Sequence, residues 1–178
     1  DAERLKHDHV EWVFDHARFL LHDPRRFGAV LWHDINDGPI LQHPLLKKLG
    51  VEPFSIEFNP DYFFKQLANK KASIKSVLLA GQIVVGVGNI YASESLFKAR
   101  IDPTRSAGSL SKKEAKTLHE KIVETLQQAL ESGGSTLKDY RDSTGKAGAY
   151  FELFAQVYGK ANEPCPACHS PIQRIVQN

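Results

Sequence analysis

Three short strings in this sequence hold residue types whose spacing could do chemistry. The first is Gly86-Val87-Gly88-Asn89-Ile90-Tyr91, set between an extended stretch and a helical one. Glycines let a backbone approach a ligand closely. A helix that starts there aims free N–H groups and partial positive charge at an anion. Asn89 could cap that helix or donate its side-chain amide to a phosphate. Lys70, Lys71 and Lys75 lie a few residues upstream, so the set suits a phosphate clamp, although two glycines alone also read as a tight turn. The second string is Asp23-Pro24-Arg25-Arg26-Phe27-Gly28. Arginine can fill the hole left by an extruded nucleotide, and phenylalanine can wedge between base pairs. The plainer reading is a hairpin turn with Phe27 in the core and both arginines solvated.

The third string is Cys165-Pro166-Ala167-Cys168-His169. A structural zinc needs four ligands, so this pair reads as half of a four-cysteine zinc site, with Cys165 and Cys168 as metal ligands. Haem attachment fits the letters, but no methionine is present as a second axial ligand. A redox pair lacks a surrounding βαβ pattern. The eight histidines show no helical metalloprotease spacing and read mostly as surface or structural residues.

The elements that would position these groups are legible from periodicity and turn residues. Val10, Trp12 and Phe14 alternate with polar neighbours, which predicts a strand. Second and third strands are expected over 18–22 and 29–33. Residues 34–59, with Pro39, Pro44 and Pro53, read as a linker with short helical pieces. Helices are then expected over 60–70, 73–80, from Asn89 to before Asp102, and from Ser111 to Gly133. Gly81 suits the C-terminal cap of the second. Ser111 and Glu114 form a capping box on the last, with an apolar stripe of Ala115, Leu118, Ile122, Val123, Leu126, Ala129 and Leu130. Residues 141–150 read as a small, polar, mobile loop, and 151–158 as a short strand.

Charge is unevenly spread. Net charge is +2, but residues 60–113 carry 9 basic against 3 acidic residues, net +6, which suggests a localised polyanion site. No apolar run approaches the roughly 18–20 residues that span a bilayer. No secretory signal opens the chain, so cytoplasm is the default location. The chain opens on Asp1 and contains no methionine, so it reads as an internal piece of a longer protein.

Taken in order, Lys-His-Asp-His-Val (6–10), Asp-Pro-Arg-Arg-Phe-Gly (23–28), Ile-Lys (74–75), Val-Gly-Val-Gly-Asn-Ile-Tyr-Ala-Ser-Glu (85–94) and Tyr-Gly-Lys (158–160) closely resemble bacterial formamidopyrimidine-DNA glycosylase. The resemblance covers essentially the whole chain. It implies an α+β fold: the remnant of an antiparallel β-sandwich (1–38), a linker (39–59), a helix-two-turn-helix domain (60–158) and a partial zinc ribbon (159–178). It implies base-excision repair of damaged double-stranded DNA, with oxidised purines removed and the strand cut at the abasic site. His7, Arg25, Lys70 and Asn89 would then contact phosphates, with Lys75 and Tyr91 close by; Arg26, Gly88 and Tyr158 would also face DNA. Arg25 and Phe27 would fill and wedge the duplex. A lesion loop including Ser143, Thr144, Gly145, Lys146, Gly148 and Tyr150 would close over the flipped base. Zinc would be the cofactor, and the enzyme a monomer with no membrane partner.

The family's nucleophile is an N-terminal proline amine followed by a catalytic lysine, and neither motif occurs here. No catalytic residue is therefore assigned in this chain, which is expected to bind DNA without cutting it. Two alternatives stand: an endonuclease VIII type acting on oxidised pyrimidines, and a non-enzymatic helix-two-turn-helix nucleic-acid-binding module. The arginine–phenylalanine wedge and polar loop favour nucleotide flipping over the latter.

Overall fold

The computed structural model describes residues 4–24, 26, 28–135 and 148–176. The chain divides into two compact units, Asp1–His43 and Pro44–Asn178.

In the first unit, β1 (Asp8–Val13) and β2 (Arg18–His22) form an antiparallel hairpin. Its turn is closed by the Phe14 N–H donating to the Ala17 carbonyl (2.9 Å). The pairing runs from Val13 with Arg18 to Asp8 with His22, and slips by one residue between Asp8 and Val10. At that slip the buried Asp8 carboxylate accepts the Leu5 N–H at 2.6 Å and meets His22 Nδ1 at 2.8 Å. The Leu5 N–H first, and His22 second, hold Asp8 below the usual carboxylate range. Residues 29–33, expected as a third strand, carry no strand pairing. A strand requires a hydrogen-bonded neighbour, and the described residues supply none for this segment. The linker's short helical pieces are 3-10 turns at Ile35–Asp37 and Ile40–Gln42.

The second unit is helical. α1 (Pro60–Leu67) starts as its sequence dictates: Asn59 accepts the Tyr62 N–H, and Pro60 occupies the first turn, where a missing N–H costs nothing. It ends three residues before the expected Lys70, because Ala68 turns extended and Asn69 takes φ 63°. α2 (Ile74–Leu79) is capped by Ser73, and Gly81 at φ 64° ends it as expected. The extended residues Ile83 and Val84 are buried, and Val84 bridges Val51 in parallel. The Val51 N–H donates to the Ile83 carbonyl, and the Val85 N–H donates to that of Val51. α3 (Asn89–Lys98) follows.

α4 (Lys112–Glu131) is the central element and packs on both α1 and α3. Ala115, Leu118, Ile122 and Leu126 join the core that holds Phe63, Leu67, Ile74, Leu78 and Leu96, and Ala129 is buried as well. Leu130, expected in this stripe, is 63% exposed, since the stripe has rotated off the core by the last turn. His119 adds a polar tie: its Nε2 lies 2.8 Å from the Phe58 carbonyl and its ring packs 4.5 Å from that of Phe58.

The stretch expected as a strand over 151–158 begins instead with a helix, α5 (Tyr150–Phe154). The anchoring residue is Tyr150, which is fully buried and packs its ring 5.6 Å from that of Phe154, four residues on. Beyond Ala155 the chain runs into a hairpin in which Pro164 bridges Pro171. Among the described residues, no helix is long and apolar enough to cross a membrane.

Candidate nucleic-acid interface

Two turns and their backing form the site. The first turn joins α1 to α2 and carries Lys70 and Lys71, with Lys75 following in the first turn of α2. Its backbone is held from behind by residues 103–108. The Ile74 N–H donates to the Arg105 carbonyl (2.7 Å) and the Lys75 N–H to that of Pro103 (3.3 Å). The Ala107 N–H donates to the Ala72 carbonyl, and the Gly108 N–H to that of Lys70, both at 2.9 Å. Ser106 Oγ adds a second donor to the Lys70 carbonyl at 2.9 Å. The fit is tight: a Cβ on Gly108 would lie 3.1 Å from the Asn69 and Lys70 nitrogens. Only glycine lets the two backbones approach this closely without displacement.

The lysine side chains are left available. Among the described residues, Lys70, Lys71 and Lys75 have no ion-pair partner. Lys70 and Lys71 border a groove of about 270 Å³ with Ser76, Val77 and Gln82. Partial burial pushes the Lys75 amine below its ordinary range. Three other cations in the basic segment are engaged within the protein. Lys98 donates to Thr125 and Gln128, Lys112 pairs with Asp61, and Arg105 pairs with Glu114. The net +6 of the segment is therefore not all surface potential, and its accessible part includes the lysine turn.

The second turn is Gly86–Gly88. Gly86 has φ 80°, a left-handed conformation that favours glycine, while Gly88 is extended. A Cβ at Gly88 would meet nothing within 4 Å. Neither backbone strain nor internal packing requires glycine there, and the open space lies at the start of α3. Gly88, not Asn89, is the N-cap, and no side chain caps the helix. Of the two roles open to Asn89, capping α3 is excluded: it is the first helical residue, exposed, with its side-chain amide uncommitted to the cap. The first-turn N–H groups and the Asn89 amide can meet an anion together. Tyr91, two residues on, is half-buried and stacks edge-on against Tyr150 at 5.3 Å. Tyr91 and Gly86 also border a largely apolar cavity of about 590 Å³, whose other walls include Phe54, Leu126, Ala129 and Gly133.

The remaining expected residues fall in several places. His7 belongs to the first unit, with its ring 6.0 Å from that of His22. Arg26 is exposed with φ 54°, in a loop where the Asp23 carbonyl and carboxylate accept the N–H groups of Arg26 and Gly28. Arg25, Phe27, Ser143, Thr144, Gly145 and Lys146 lie outside the described residues. Gly148 lies against the backbone of Gly134. Tyr150, expected in a mobile loop, is instead fully buried as the first residue of α5, so its ring is a core element. Tyr158 is half-buried beside Phe151, with ring centroids 6.3 Å apart.

Cys165 and Cys168 sit on a tight hairpin. The Cys165 N–H donates to the Ser170 carbonyl, the His169 N–H returns to that of Cys165, and the Ala167 N–H points at Cys165 Sγ at 3.4 Å. The Ser170 N–H first, and the Cys165 thiol second, hold the Cys168 thiol below its ordinary range. Two converging thiols with backbone N–H groups aimed at sulfur suit thiolate ligands. Among the described residues, no group of three or more His, Cys, Asp or Glu side chains could hold a metal ion.

Against known proteins, the chain matches the Formamidopyrimidine-DNA glycosylase H2TH domain over residues 49–141, which spans α1 to α4 and both turns. The chain belongs to the formamidopyrimidine-DNA glycosylase family. It is 54% identical over 172 residues to the formamidopyrimidine-DNA glycosylase of Bordetella petrii, covering 97% of this chain and 62% of that protein. For the Bordetella pertussis glycosylase the identity is 55%, with the same coverage. Among solved structures it superposes on MutM (Fpg) from Thermus thermophilus with a TM-score of 0.85 at 40% identity, over 98% of this chain and 65% of that one. The Lactococcus lactis Fpg bound to DNA containing an abasic site gives 0.83 at 35% identity, over 98% of this chain and 63% of that one. The chain thus spans a little under two thirds of the length of these relatives.

Sequence reasoning missed the backing of the site. Ser106, Gly108 and Arg105 act through backbone register, which no local pattern announces. Arg105 counted toward the basic segment, yet its Nη1 and Nη2 meet the Glu114 carboxylate at 2.6 and 3.1 Å. Glu114 also accepts the Ser111 N–H at 2.8 Å, so the α4 capping box is tied to the segment that backs the lysines. Arg105 foremost, then Ser111, push the Glu114 carboxyl down to about 2. Its unperturbed value is about 4.3. A depressed carboxyl contributes stability that is complete above its unfolded value and is lost as pH falls through the folded one. Thermal melts between about pH 5 and 2 should therefore show a steeper loss for the native chain than for Glu114→Gln. Parallel curves would mean that the Arg105–Glu114 contact contributes nothing.

Proposed function

We propose that this chain grips damaged duplex DNA in base-excision repair, as part of a glycosylase that removes oxidised purines. The observation that carries this reading is twofold: among the described residues, Lys70, Lys71 and Lys75 have no ion-pair partner, and no side chain caps the start of α3. Lysines supply the counterion-releasing part of duplex affinity, and helix N–H groups fix register on individual phosphates. The relatives named above are formamidopyrimidine-DNA glycosylases, and one solved relative is bound to DNA containing an abasic site. In this reading Lys70, Lys75, Gly88, Asn89 and Tyr91 bind the backbone of the lesion strand, with His7 and Arg26 adding contacts from the first unit. Arg25 and Phe27 enter the duplex where the nucleotide leaves it, and residues 143–148 cover the flipped base.

Residues 1–38 are assigned to the sandwich domain, 39–59 to the linker, 60–158 to the helix-two-turn-helix domain and 159–178 to the zinc ribbon. Cys165 and Cys168 would supply two of the four ligands of a structural zinc, which would cross-link the hairpin and keep Tyr158 and Lys160 near the duplex. Catalysis is assigned to a proline amine of the family and not to lysines of this chain, which phosphate binding accounts for.

Two measurements test the assignment. In titrations of the 178-residue chain against a duplex carrying an abasic-site analogue, log K should fall linearly with log salt. Lys70→Ala and Lys75→Ala should each lower that slope by about one unit; unchanged slope and affinity in both would place the clamp elsewhere. In borohydride trapping on an 8-oxoguanine duplex, this polypeptide should give no covalent adduct. An adduct mapped to any of its residues would overturn the assignment of chemistry to the proline amine.

A further inference from the structure

Glu94 is a glutamate with no solvent exposure, on the helix whose first turn faces the proposed phosphate. Asn89 and Glu94 are five residues apart, which places them about 140° apart around the helix at 3.6 residues per turn. Asn89 accordingly faces solvent while Glu94 faces inward. Its two oxygens are met by three successive backbone N–H groups from the segment after α5. Gln156 donates to Oε2 at 2.8 Å, and Val157 and Tyr158 donate to Oε1 at 3.0 and 2.8 Å. Residues more than sixty positions apart are thus joined by a carboxyl group that the core encloses. Core side chains pack tightly and shift little, so the three N–H groups are referred to a rigid point.

The segment so held needs this help. Ala155 is buried, but Gln156 is exposed and Val157 and Tyr158 are only partly covered. Past Ala155 the hydrophobic core no longer fixes the backbone, and the Glu94 carboxyl takes over. The next described turn is Gly159 at φ 76°, after which the chain enters the cysteine hairpin.

We propose that Glu94 is a positioning residue for DNA binding: it holds the backbone of Gln156–Tyr158 so that the Tyr158 side chain stands at the DNA face in fixed relation to the α3 N-terminus. This rests on the reading of the chain as a duplex-binding glycosylase segment. Glu94 does not touch DNA; it links the start of α3, which receives one phosphate, to Tyr158, which contacts the backbone further along. The three bonds make the geometry specific. A glutamine side chain offers one acceptor oxygen and turns an N–H₂ group toward N–H donors, leaving at least one buried donor unmatched.

The test is a double-mutant cycle on the full 178-residue chain, read as affinity for a duplex with an abasic-site analogue, beside amide exchange. Glu94→Gln should weaken binding on the order of tenfold, the scale of one lost charge-assisted bond. In the Tyr158→Ala background the same change should cost less than about twofold, because the residue it positions is already gone. Amide protection should be lost at 156–158 and kept at Leu118 and Ile122. Equal losses of affinity in both backgrounds, or loss of protection through α4, would overturn the proposal in favour of general support of the fold. Should Glu94→Gln fail to fold, Val157→Pro removes one donor and leaves the buried carboxyl in place; the same pattern is expected, and additive losses would again contradict it. If the native chain shows no salt-dependent affinity for duplex, the DNA reading fails. Amide exchange then decides the positioning alone: loss confined to 156–158 supports it, and loss spread into the core overturns it.

Discussion

The backbone register between residues 70–75 and 103–108 is the constraint on which the lysine-bearing side of the helical unit depends. The lysine turn is too short and too polar to bury a core of its own. It is kept in place by four backbone hydrogen bonds and one from Ser106, all arriving from a segment about thirty residues later. Such a ladder fixes position well because each donor has one acceptor in reach. It also uses only main-chain atoms of the turn, and among the described residues the lysine side chains have no ion-pair partner. The close approach at Gly108 sets the spacing, and the Arg105–Glu114 pair anchors the far side of the ladder to α4.

The rest of the helical unit serves the same end. α4 lies in the middle, with α1 and α3 on it, so the two turns at their ends are carried by one packed scaffold. Burial of aliphatic side chains supplies the driving force. Polar ties then choose the geometry: His119 on Phe58, Lys98 on Thr125 and Gln128, Glu94 on residues 156–158. Each sits where an element leaves the core and its path must be specified by something more directional than apolar contact. The turn at Gly86–Gly88 is positioned likewise, because Val84 and Val85 before it are stitched to Val51.

Much of this was legible in the sequence. Caps and punctuation located the starts of α1, α2 and α4, and the glycine pair with Asn89 located the turn. Locally encoded features of that kind survive into the fold. Reading failed where the deciding contact is remote. Tyr150 resembled part of a polar loop because its neighbours are small, yet it is buried against Tyr91 and Phe154. Residues 29–33 read as a third strand but have no pairing partner among the described residues. Arg105 counted toward the basic segment 60–113, and its charge is used on Glu114. Glu94 was legible only as a letter in the family's motif; its three donors lie beyond a long intervening stretch, out of reach of any spacing rule.

The most direct test of the central claim, that the two buttressed turns form the DNA face, is an amide-resolved NMR titration of the chain with duplex carrying an abasic-site analogue. The account predicts that the largest shifts cluster at residues 70–75 and 86–91, while amides on the exposed side of α4, such as Lys116 and Glu120, stay in place. Shifts concentrated on that side of α4, with the two turns unmoved, would contradict it.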